Sequence, residues 1–414
     1  MLGNRTFSSD KIVAIILAAA ITFANGAVFA ESSRPRTNPM IHRVGLTIVD
    51  GNGNPIKLRG VNLGGWLHWE GYIFGKGILT PESEILNGLE KLVGPEDTQR
   101  FESEVDSSFI TEADLHKISQ LGFNVIRLPI DKTVLEDESH PYVYKQSGWA
   151  LIDRALAIAE RYHLYVVLDL HSAPGGQSWV PTADPGSRKE LVWNSDESRK
   201  RTIALWQAIA MHYSNAQVVA GYDLLNEPGP PDGHALVEIY SQLIAAIRSV
   251  DPDHMIVLEG SRFASDFSMF SGPLCDNQVY SFHMYSWFGD NRAKQMEIYR
   301  ATAARQQIPF WVGEFGENTY DMIRSTVAMF NRDSAVAGWA YWTWKRAPTR
   351  FPGLEIINVP TEWQSVMNWI VHPLFNRRPS RDETLRGMAE FLNAVSINET
   401  TFDGRMAGIL AGGD

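Results

Sequence analysis

Cysteine is almost missing from this chain, which holds one, Cys275, among 414 residues. An intramolecular disulfide therefore cannot form, and a small scaffold held together by cross-links is excluded. Stability has to come from a buried apolar core, and a chain of this length is large enough to build one.

Long apolar runs and an excess of positive charge are missing too. After the first 30 residues, no apolar run is long enough to cross a bilayer. The net charge is −11, and an acidic surface repels nucleic acid and anionic lipid. We therefore expect a neutral substrate, with neither nucleic acid nor, once a leader is removed, a membrane as partner.

The first 30 residues have the three-part pattern of a secretory signal peptide. Arg5 and Lys11 precede a short apolar run, and Ala30 ends a small-residue cleavage pattern. Cleavage after residues 1–30 would leave a secreted or periplasmic protein whose first residues, 31–41, are expected to be a disordered leader. An uncleaved membrane anchor is the alternative interpretation.

Eight short apolar segments alternate with helical patterns along the rest of the chain. Such segments are typical of strands that are buried on both faces of a parallel sheet. The alternation predicts an α/β protein, and eight strands are the number that closes a (β/α)8 TIM barrel. The predicted strands are 56–66, 123–130, 164–171, 218–225, 254–260, 279–285, 310–316 and 337–344.

The segments around these strands complete the predicted architecture. A turn-rich DGNGN sequence predicts a small N-terminal β-hairpin (44–63) at the bottom of the barrel. No linker indicates a second domain, so we expect one (β/α)8 domain (42–397), a monomer, and a flexible Gly-rich tail (398–414). Long βα loops are usually functional, and we expect three to wall a groove: 64–108, 172–195 and 345–361.

Two glutamates stand at the C-terminal ends of predicted strands. Glu227 follows the apolar segment VVAGYDLL, and Glu314 lies within PFWVGEFG. The C-terminal ends of barrel strands meet at the face where TIM-barrel active sites lie. Two carboxyl groups that meet there can act as general acid/base and nucleophile, so Glu227 and Glu314 are the candidate pair for cleaving a glycosidic bond.

Other polar residues at strand ends have the chemistry to support such a pair. Arg127 can hold a carboxylate in its ionised form, and its expected partner is Glu314. We expect Glu314 to start ionised and Glu227 to start protonated, with a raised pKa. Donors for sugar hydroxyls and for the second carboxylate come from His171, Asn226, His283 and Tyr285.

Seven short motifs occur in order, each at a predicted strand end: RGVNLGGWL, NVIRLP, DLHSAPGGQ, LLNEP, HMYSW, VGEFG and YWTWK. Together they resemble glycoside hydrolase family 5 over nearly the whole chain after the leader. The resemblance implies a retaining β-glycosidase acting on β-linked glucans, with Glu227 as acid/base and Glu314 as nucleophile. It also implies an indole platform on the eighth strand, at Trp342 rather than Trp344, and a supporting shell of Arg127, His171, Asn226, His283 and Tyr285.

Three of the motifs, GGWL, LHSAPGGQ and WTWK, are most similar to the exo-β-1,3-glucanase branch of that family. HWEGYIFGKG and HMYSWFGD depart from the branch in substrate-contacting regions, so β-1,3 against β-1,4 linkage and exo against endo action stay open. Thirteen tryptophans are a high count, and indole stacks on the flat faces of sugars. The candidates for further sugar subsites are Trp69, Glu70, Gln177, Trp179 and Trp287.

Three other interpretations have to be weighed. Asp223 and Asp169 also point into the predicted barrel, but we interpret both as structural, with Arg59 as a possible partner of Asp223. A metal-dependent barrel hydrolase is a second class, but His171 and His283 lack metal-ligand spacing, so we expect no metal and no cofactor. A catalytically silent glucan-binding barrel is a third, and the presence of both acids and the arginine argues against it.

Overall fold

Eight parallel strands close into a barrel in the computed structural model, which describes residues 40–186, 191–287 and 289–412. The strands are β4 (Leu58–Asn62), β5 (Val125–Asp131), β8 (Tyr165–Ser172), β9 (Val219–Asp223), β10 (Met255–Glu259), β11 (Gln278–Met284), β12 (Phe310–Gly316) and β13 (Val336–Trp342). Nearly all their residues are buried, as expected for strands covered on both faces. The predicted (β/α)8 TIM barrel is confirmed.

A small antiparallel sheet precedes the barrel, with strands β1 (His42–Val44), β2 (Thr47–Val49) and β3 (Pro55–Ile56). The predicted hairpin at the bottom of the barrel is therefore present, with one additional strand. Ile41 and Ile48 are buried in one cluster with Leu58 and Met255, at the N-terminal ends of barrel strands.

The prediction of a disordered leader over residues 31–41 is wrong for its last two residues. Met40 and Ile41 are both buried, and Ile41 packs with Ile48 of the small sheet and with Leu58 at the bottom of the barrel. Residues 1–39 lie outside the described residues, and so does the predicted signal peptide, 1–30.

Helices surround the barrel and follow its strands. They are α4 (Glu112–Gln120), α6 (Gln146–Arg161), α7 (Asp196–Tyr213), α8 (Gly233–Arg248), α10 (Arg292–Gln306), α11 (Tyr320–Arg332), α12 (Thr361–Val371) and α13 (Arg381–Ala394). After β10 a four-residue turn, α9 (Ser261–Ala264), takes the place of a full helix. Thr111 and Asp114 form a capping box at the start of α4. Within the described ranges, no helix is long and apolar enough to cross a membrane.

The long connections form elements of their own. The connection after β4 contains α1 (Gly71–Phe74), α2 (Glu82–Val93) and α3 (Pro95–Ser108). The connection after β5 contains α5 (Lys132–Leu135), β6 (Glu136–Asp137) and β7 (His140–Tyr144). The connection after β8 contains a 3-10 turn (Pro181–Ala183). The strands β14 (Lys345–Arg346), β15 (Glu355–Ile356) and β16 (Thr401–Phe402) form a separate small sheet. The segment 345–361, which we expect to wall the groove, enters that sheet, and Nη1 of its Arg346 lies 3.7 Å from Oε1 of Glu317, which lines the pocket described below.

The last described residues form a packed helix, α14 (Gly404–Leu410). Its buried side chains are those of Met406, Ala407, Ile409 and Leu410. The hydroxyl of Tyr320 donates to Asp403 at 2.5 Å. The predicted flexible tail, 398–414, is therefore wrong over β16 and α14, because this segment has apolar residues to bury and a surface that receives them.

Candidate active site

A pocket of about 300 Å³ opens at the C-terminal ends of the barrel strands. Its wall combines residues from the ends of five strands with residues from the connection after β4, where Tyr72, Ile78 and Leu79 contribute. The predicted site residues that line it are Glu70, His171, Asn226, Glu227, Tyr285, Trp287, Glu314 and Trp342.

Glu227 and Glu314 face each other in this pocket. One carboxylate oxygen of each lies within 4.8 Å of the other. Nδ1 of His283 lies 2.9 Å from Oε1 of Glu227 and 3.5 Å from Oε2 of Glu314. Glu227 has a φ of +43°, a left-handed conformation that costs about 1–2 kcal/mol for a residue with a Cβ. Its backbone N–H donates to Oε2 of Glu259 at 2.6 Å, which helps to hold the strained residue in place.

Arg127 lies at the centre of a buried carboxylate cluster beneath the pocket. Its Nη1 donates to Oε1 of Glu314 at 2.8 Å, as the sequence predicts, and its Nη2 donates to Oδ1 of Asn226 at 2.9 Å. Its Nε donates to Asp223 at 2.9 Å. The proposed pairing of Asp223 with Arg59 is therefore wrong, because Arg59 is exposed on the outside of the barrel.

His283 connects Glu227 to a further buried carboxylate, that of Glu259. Nδ1 of His283 hydrogen-bonds Oε1 of Glu227 at 2.9 Å, and Nε2 lies 3.0 Å from Oε1 of Glu259. Gly313 leaves room for the imidazole, since a Cβ at this position would lie only 3.1 Å from Nε2. The imidazole is thus held between two acids.

The same contacts decide which group carries a proton. Burial lowers the pKa of His283, but Glu259, Glu314 and Glu227 raise it well above its ordinary value. Burial raises the pKa of Glu227, but the hydrogen bond with His283 and the electrostatic interactions with His283, His171 and Arg127 together outweigh burial, so this pKa is lowered. Burial raises the pKa of Glu314 to about 7, against the opposing charges of His283 and Arg127. The raised pKa expected at Glu227 is therefore wrong for this arrangement, in which the proton lies on His283.

Gln177 holds the backbone next to Glu227 in place. Its Nε2 donates to the backbone oxygens of His171 and Asn226 at 2.7 and 2.8 Å, and its Oε1 accepts from the backbone N–H of Ala173 at 3.0 Å. Because Gln177 is completely buried, the prediction of a direct sugar contact is wrong. Oδ1 of Asn226 accepts from Arg127, so the Nδ2 group of Asn226 is left to donate into the pocket.

A chain of contacts orients the indole of Trp342. Its Nε1 donates to the hydroxyl of Tyr72 at 2.5 Å. The indole lies nearly parallel to the imidazole of His171, with ring centroids 5.5 Å apart. Nδ1 of His171 hydrogen-bonds Asp169 at 2.6 Å, and its Nε2 lies 3.3 Å from Oε1 of Glu70. Burial lowers the pKa of His171 to about 3, so this imidazole is neutral.

Two further predicted tryptophans lie at the surface near the pocket. Trp287 is 46% exposed and stacks on Tyr285, with ring centroids 4.6 Å apart. Trp179 is 60% exposed and lines a neighbouring groove together with Gly229 and Phe263. Trp287 therefore extends the pocket wall, and Trp179 stands in a second depression beside it.

The other two predicted tryptophans belong to the core. Trp69 stacks on Phe74 with ring centroids 4.5 Å apart, and its exposed fraction is 1%. Trp344 is completely buried and its Nε1 donates to Asp114 at 2.9 Å. The prediction of a sugar contact by Trp69 or Trp344 is therefore wrong, because both indoles are buried and neither lines the pocket.

Sequence reasoning misses several residues of this region, among them the ionisable residues Glu259, Tyr72, Glu317 and His68. Glu259 ends β10 and could have been found by the strand-end rule that identifies Glu314. Tyr72 and Glu317 line the pocket from connections, where no periodicity shows which way a side chain points. His68 is buried; burial lowers its pKa, but Asp131 and neighbouring acids raise it to about 9.

Comparison with known proteins adds an independent observation. A family model described as cellulase (glycosyl hydrolase family 5) matches residues 93–348. A beta-xylosidase of Phanerodontia chrysosporium is 33% identical over 335 residues, which cover 73% of this chain and 70% of that protein.

Two further proteins resemble this chain, and their names differ from that of the beta-xylosidase. A probable glucan 1,3-beta-glucosidase A of Aspergillus clavatus is 31% identical over 254 residues, 58% of this chain and 58% of that protein. This chain thus spans less than two thirds of that relative's length. The solved structure of an endogalactoceramidase has a TM-score of 0.59 at 20% identity, over 85% of this chain and 84% of that one. That structure shows a shared fold.

Proposed function

Because this chain belongs to glycosyl hydrolase family 5 and is a glycoside hydrolase, we propose that it is a retaining β-glycosidase that hydrolyses β-linked glucans by double displacement. The observation that carries the proposal is the approach of Glu227 and Glu314, whose nearest oxygens lie within 4.8 Å. Retaining enzymes hold their two carboxyl groups about 5–5.5 Å apart, whereas inverting enzymes leave room for a water at about 6.5–9.5 Å.

In the first step Glu314 attacks the anomeric carbon while Glu227 protonates the departing oxygen. Arg127 donates to one oxygen of Glu314, and the hydroxyl of Tyr285 donates to the other at 2.8 Å. These contacts orient the nucleophile and stabilise its ionised form. Nδ2 of Asn226 faces the pocket, where it would contact the sugar 2-hydroxyl. The bond to the leaving oxygen breaks, and a covalent glycosyl ester forms on Glu314.

The proton that Glu227 delivers comes from its pair with His283. A proton transfer along the 2.9 Å hydrogen bond converts charged His283 and ionised Glu227 into a neutral pair. A bound sugar excludes water, and a buried neutral pair then costs less than a buried ion pair. In the second step Glu227 accepts a proton from the attacking water, which releases the sugar from Glu314.

The pocket favours a neutral sugar with many hydroxyl donors. Its wall presents the carboxylates of Glu70 and Glu317 as acceptors, and the indoles of Trp342 and Trp287 as flat surfaces. An anionic sugar would be repelled. A β-1,3- or β-1,4-linked glucan fits these features, and the relative named probable glucan 1,3-beta-glucosidase A supports a glucan as substrate.

We also propose that the protein works outside the cytoplasm as a monomer. The support for export is the signal-peptide pattern of residues 1–30, whose cleavage would release a chain that carries no other long apolar run. The net charge of −11 supports a soluble partner that is not an anionic polymer.

Removal of the nucleophile provides the main test. Glu314→Gly should lower hydrolysis of an aryl β-glucoside by about four orders of magnitude or more, because no covalent intermediate can form. Added azide should restore turnover by entering the vacated space, and the product should be an α-glycosyl azide, of opposite anomeric configuration to the substrate. Glu317→Gly is the control, because it removes a pocket carboxylate that is not the nucleophile and should show no azide rescue. A Glu314→Gly enzyme without rescue would refute the assignment.

Removal of the acid tests Glu227 separately. Glu227→Ala should slow cleavage of a natural glucan by about 10²–10⁴-fold, because a sugar leaving group needs a proton. The first step on a dinitrophenyl glycoside should be far less affected, since dinitrophenolate leaves without one. Equal losses on both substrates, measured by pre-steady-state kinetics, would count against the acid role.

A further inference from the structure

Two histidines and a carboxylate converge at the edge of the pocket. His68, His171 and Glu70 each offer one ligand atom, and the three atoms lie within 4.8 Å of one another. The imidazole centroids of His68 and His171 are 4.8 Å apart. The three side chains are held in a buried environment, with exposed fractions of 1%, 1% and 4% for His68, His171 and Glu70.

Each imidazole is oriented by its own carboxylate. Nδ1 of His171 hydrogen-bonds Oδ2 of Asp169 at 2.6 Å, and Nδ1 of His68 hydrogen-bonds Oδ2 of Asp131 at 3.2 Å. A carboxylate on the far nitrogen is the arrangement found behind metal-binding histidines, because it fixes the ring and makes Nε2 a better ligand. Here the arrangement occurs twice in side chains that face one another.

One of the two remaining ring nitrogens lacks a partner. Nε2 of His68 is buried and has no hydrogen-bond partner among the residues that the structure describes. Nε2 of His171 lies 3.3 Å from Oε1 of Glu70, so the remaining nitrogen of this imidazole and a carboxylate oxygen face each other. A metal ion can accept an electron pair from both imidazoles and from the carboxylate.

We propose that His68, His171 and Glu70 form a binding site for a divalent transition-metal ion such as Zn²⁺, and that an ion bound there blocks the sugar pocket. Two imidazoles and one carboxylate are a ligand set of zinc, whereas Mg²⁺ and Ca²⁺ prefer oxygen ligands alone. Glu70 and His171 line the pocket, so ion and sugar compete for the same side chains, and the ion takes no part in hydrolysis.

Two neighbouring clusters are poorer sites. His283, between Glu227 and Glu314, already has an acid at each ring nitrogen. In the cluster of His68, Glu82 and Asp131, the acids are engaged by protein donors: Trp69 N–H donates to Glu82, and Thr133 and Lys132 donate to Asp131.

Calorimetric titration of the wild-type enzyme with Zn²⁺ tests the site without any assay of activity. Its result therefore does not depend on whether the proposed function is correct. We expect one Zn²⁺ per chain and no binding of Mg²⁺. His68→Gln should weaken Zn²⁺ binding at least about tenfold. His212→Gln, which removes an exposed histidine from α7, is the matched control and should bind as the wild type does.

Kinetics and spectroscopy provide the second readout. Zn²⁺ should raise the KM for an aryl β-glucoside without changing kcat, and His68→Gln should shift the inhibition to higher Zn²⁺ concentration. X-ray absorption of the zinc-loaded wild type should show two imidazoles at the ion, a result that needs no variant to fold. Unchanged Zn²⁺ affinity in His68→Gln, loss of binding in Glu314→Gln alone, non-competitive inhibition, or fewer than two imidazoles would each overturn the proposal.

Discussion

At the scale of single residues, Glu259 connects the groups that would carry the chemistry. Its Oε2 accepts from the backbone N–H of Glu227 at 2.6 Å. Its Oε1 lies 3.0 Å from both Nη2 of Arg127 and Nε2 of His283. The carboxylate therefore supports the position of the acid and the charge on the imidazole at the same time.

Glu259→Gln should narrow the pH range of activity from its alkaline side. Glu259 raises the pKa of His283, so its neutral replacement lets the imidazole lose its proton at lower pH. The basic limb of the kcat/KM profile should then move down by about one pH unit. Glu238→Gln, the same change at an exposed glutamate, should leave the profile unchanged. An unshifted basic limb in Glu259→Gln would contradict the proposal that His283 supplies the proton that Glu227 delivers.

Residues at strand ends could be predicted from the sequence, whereas residues in connections could not. Glu227, Glu314 and Arg127 were found because the end of a barrel strand has one possible location and a readable side-chain alternation. Trp69 follows a strand by several residues, so its direction depends on how the connection folds against Phe74. The sequence does not predict the protonation of Glu227, because this depends on the pKa of His283, which the buried carboxylate of Glu259 raises.

At the scale of elements, the C-terminal ends of β4 and β13 meet closely enough to position the indole of Trp342, the proposed sugar platform. Gly64, just after β4, has no side chain, and a Cβ there would lie 2.7 Å from Cη2 of Trp342. The indole cannot move away freely, because Tyr72 holds its Nε1 and His171 lies along its face.

Gly64→Ala should therefore displace Trp342 and weaken catalysis with little loss of folding. A displacement of this kind can lower kcat/KM by about 10- to 100-fold, and steady-state kinetics on an aryl β-glucoside would measure it. Gly272→Ala is the matched control, since a Cβ at Gly272 would meet no heavy atom within 4 Å. Wild-type kcat/KM in Gly64→Ala would show that the indole adapts and that its position is not decisive.

At the scale of the whole molecule, the C-terminal helix α14 closes part of the surface that the barrel helices leave open. Its sequence, GRMAGIL, holds two glycines, and glycine is a poor helix former. Packing overrides that local preference, because Met406, Ile409 and Leu410 are buried. The glycine-rich composition therefore predicts a flexible tail over residues 398–414, because the sequence does not show the surface against which α14 packs.

A chain that ends after Thr400 should be clearly less stable than the full chain. Burial of a Leu, Ile or Met side chain contributes about 1.5–3 kcal/mol, so loss of three should lower the free energy of unfolding by several kcal/mol. Thermal unfolding would measure the change in Tm. A chain that ends after Leu410 keeps the helix and should unfold like the full chain; equal Tm values for both truncations would contradict the packing role of α14.

The burial of Ile41 at the bottom of the barrel determines how the molecule can be attached to a surface. A tag or resin coupled ahead of residue 40 departs from the face opposite to the pocket, so an immobilised molecule would turn its opening toward the medium. Coupling through the C-terminus starts instead from α14, whose neighbour Tyr320 follows closely after Glu317 in the pocket wall. For an immobilised enzyme that has to act on bulky or insoluble polymers, the N-terminal end is the better attachment point.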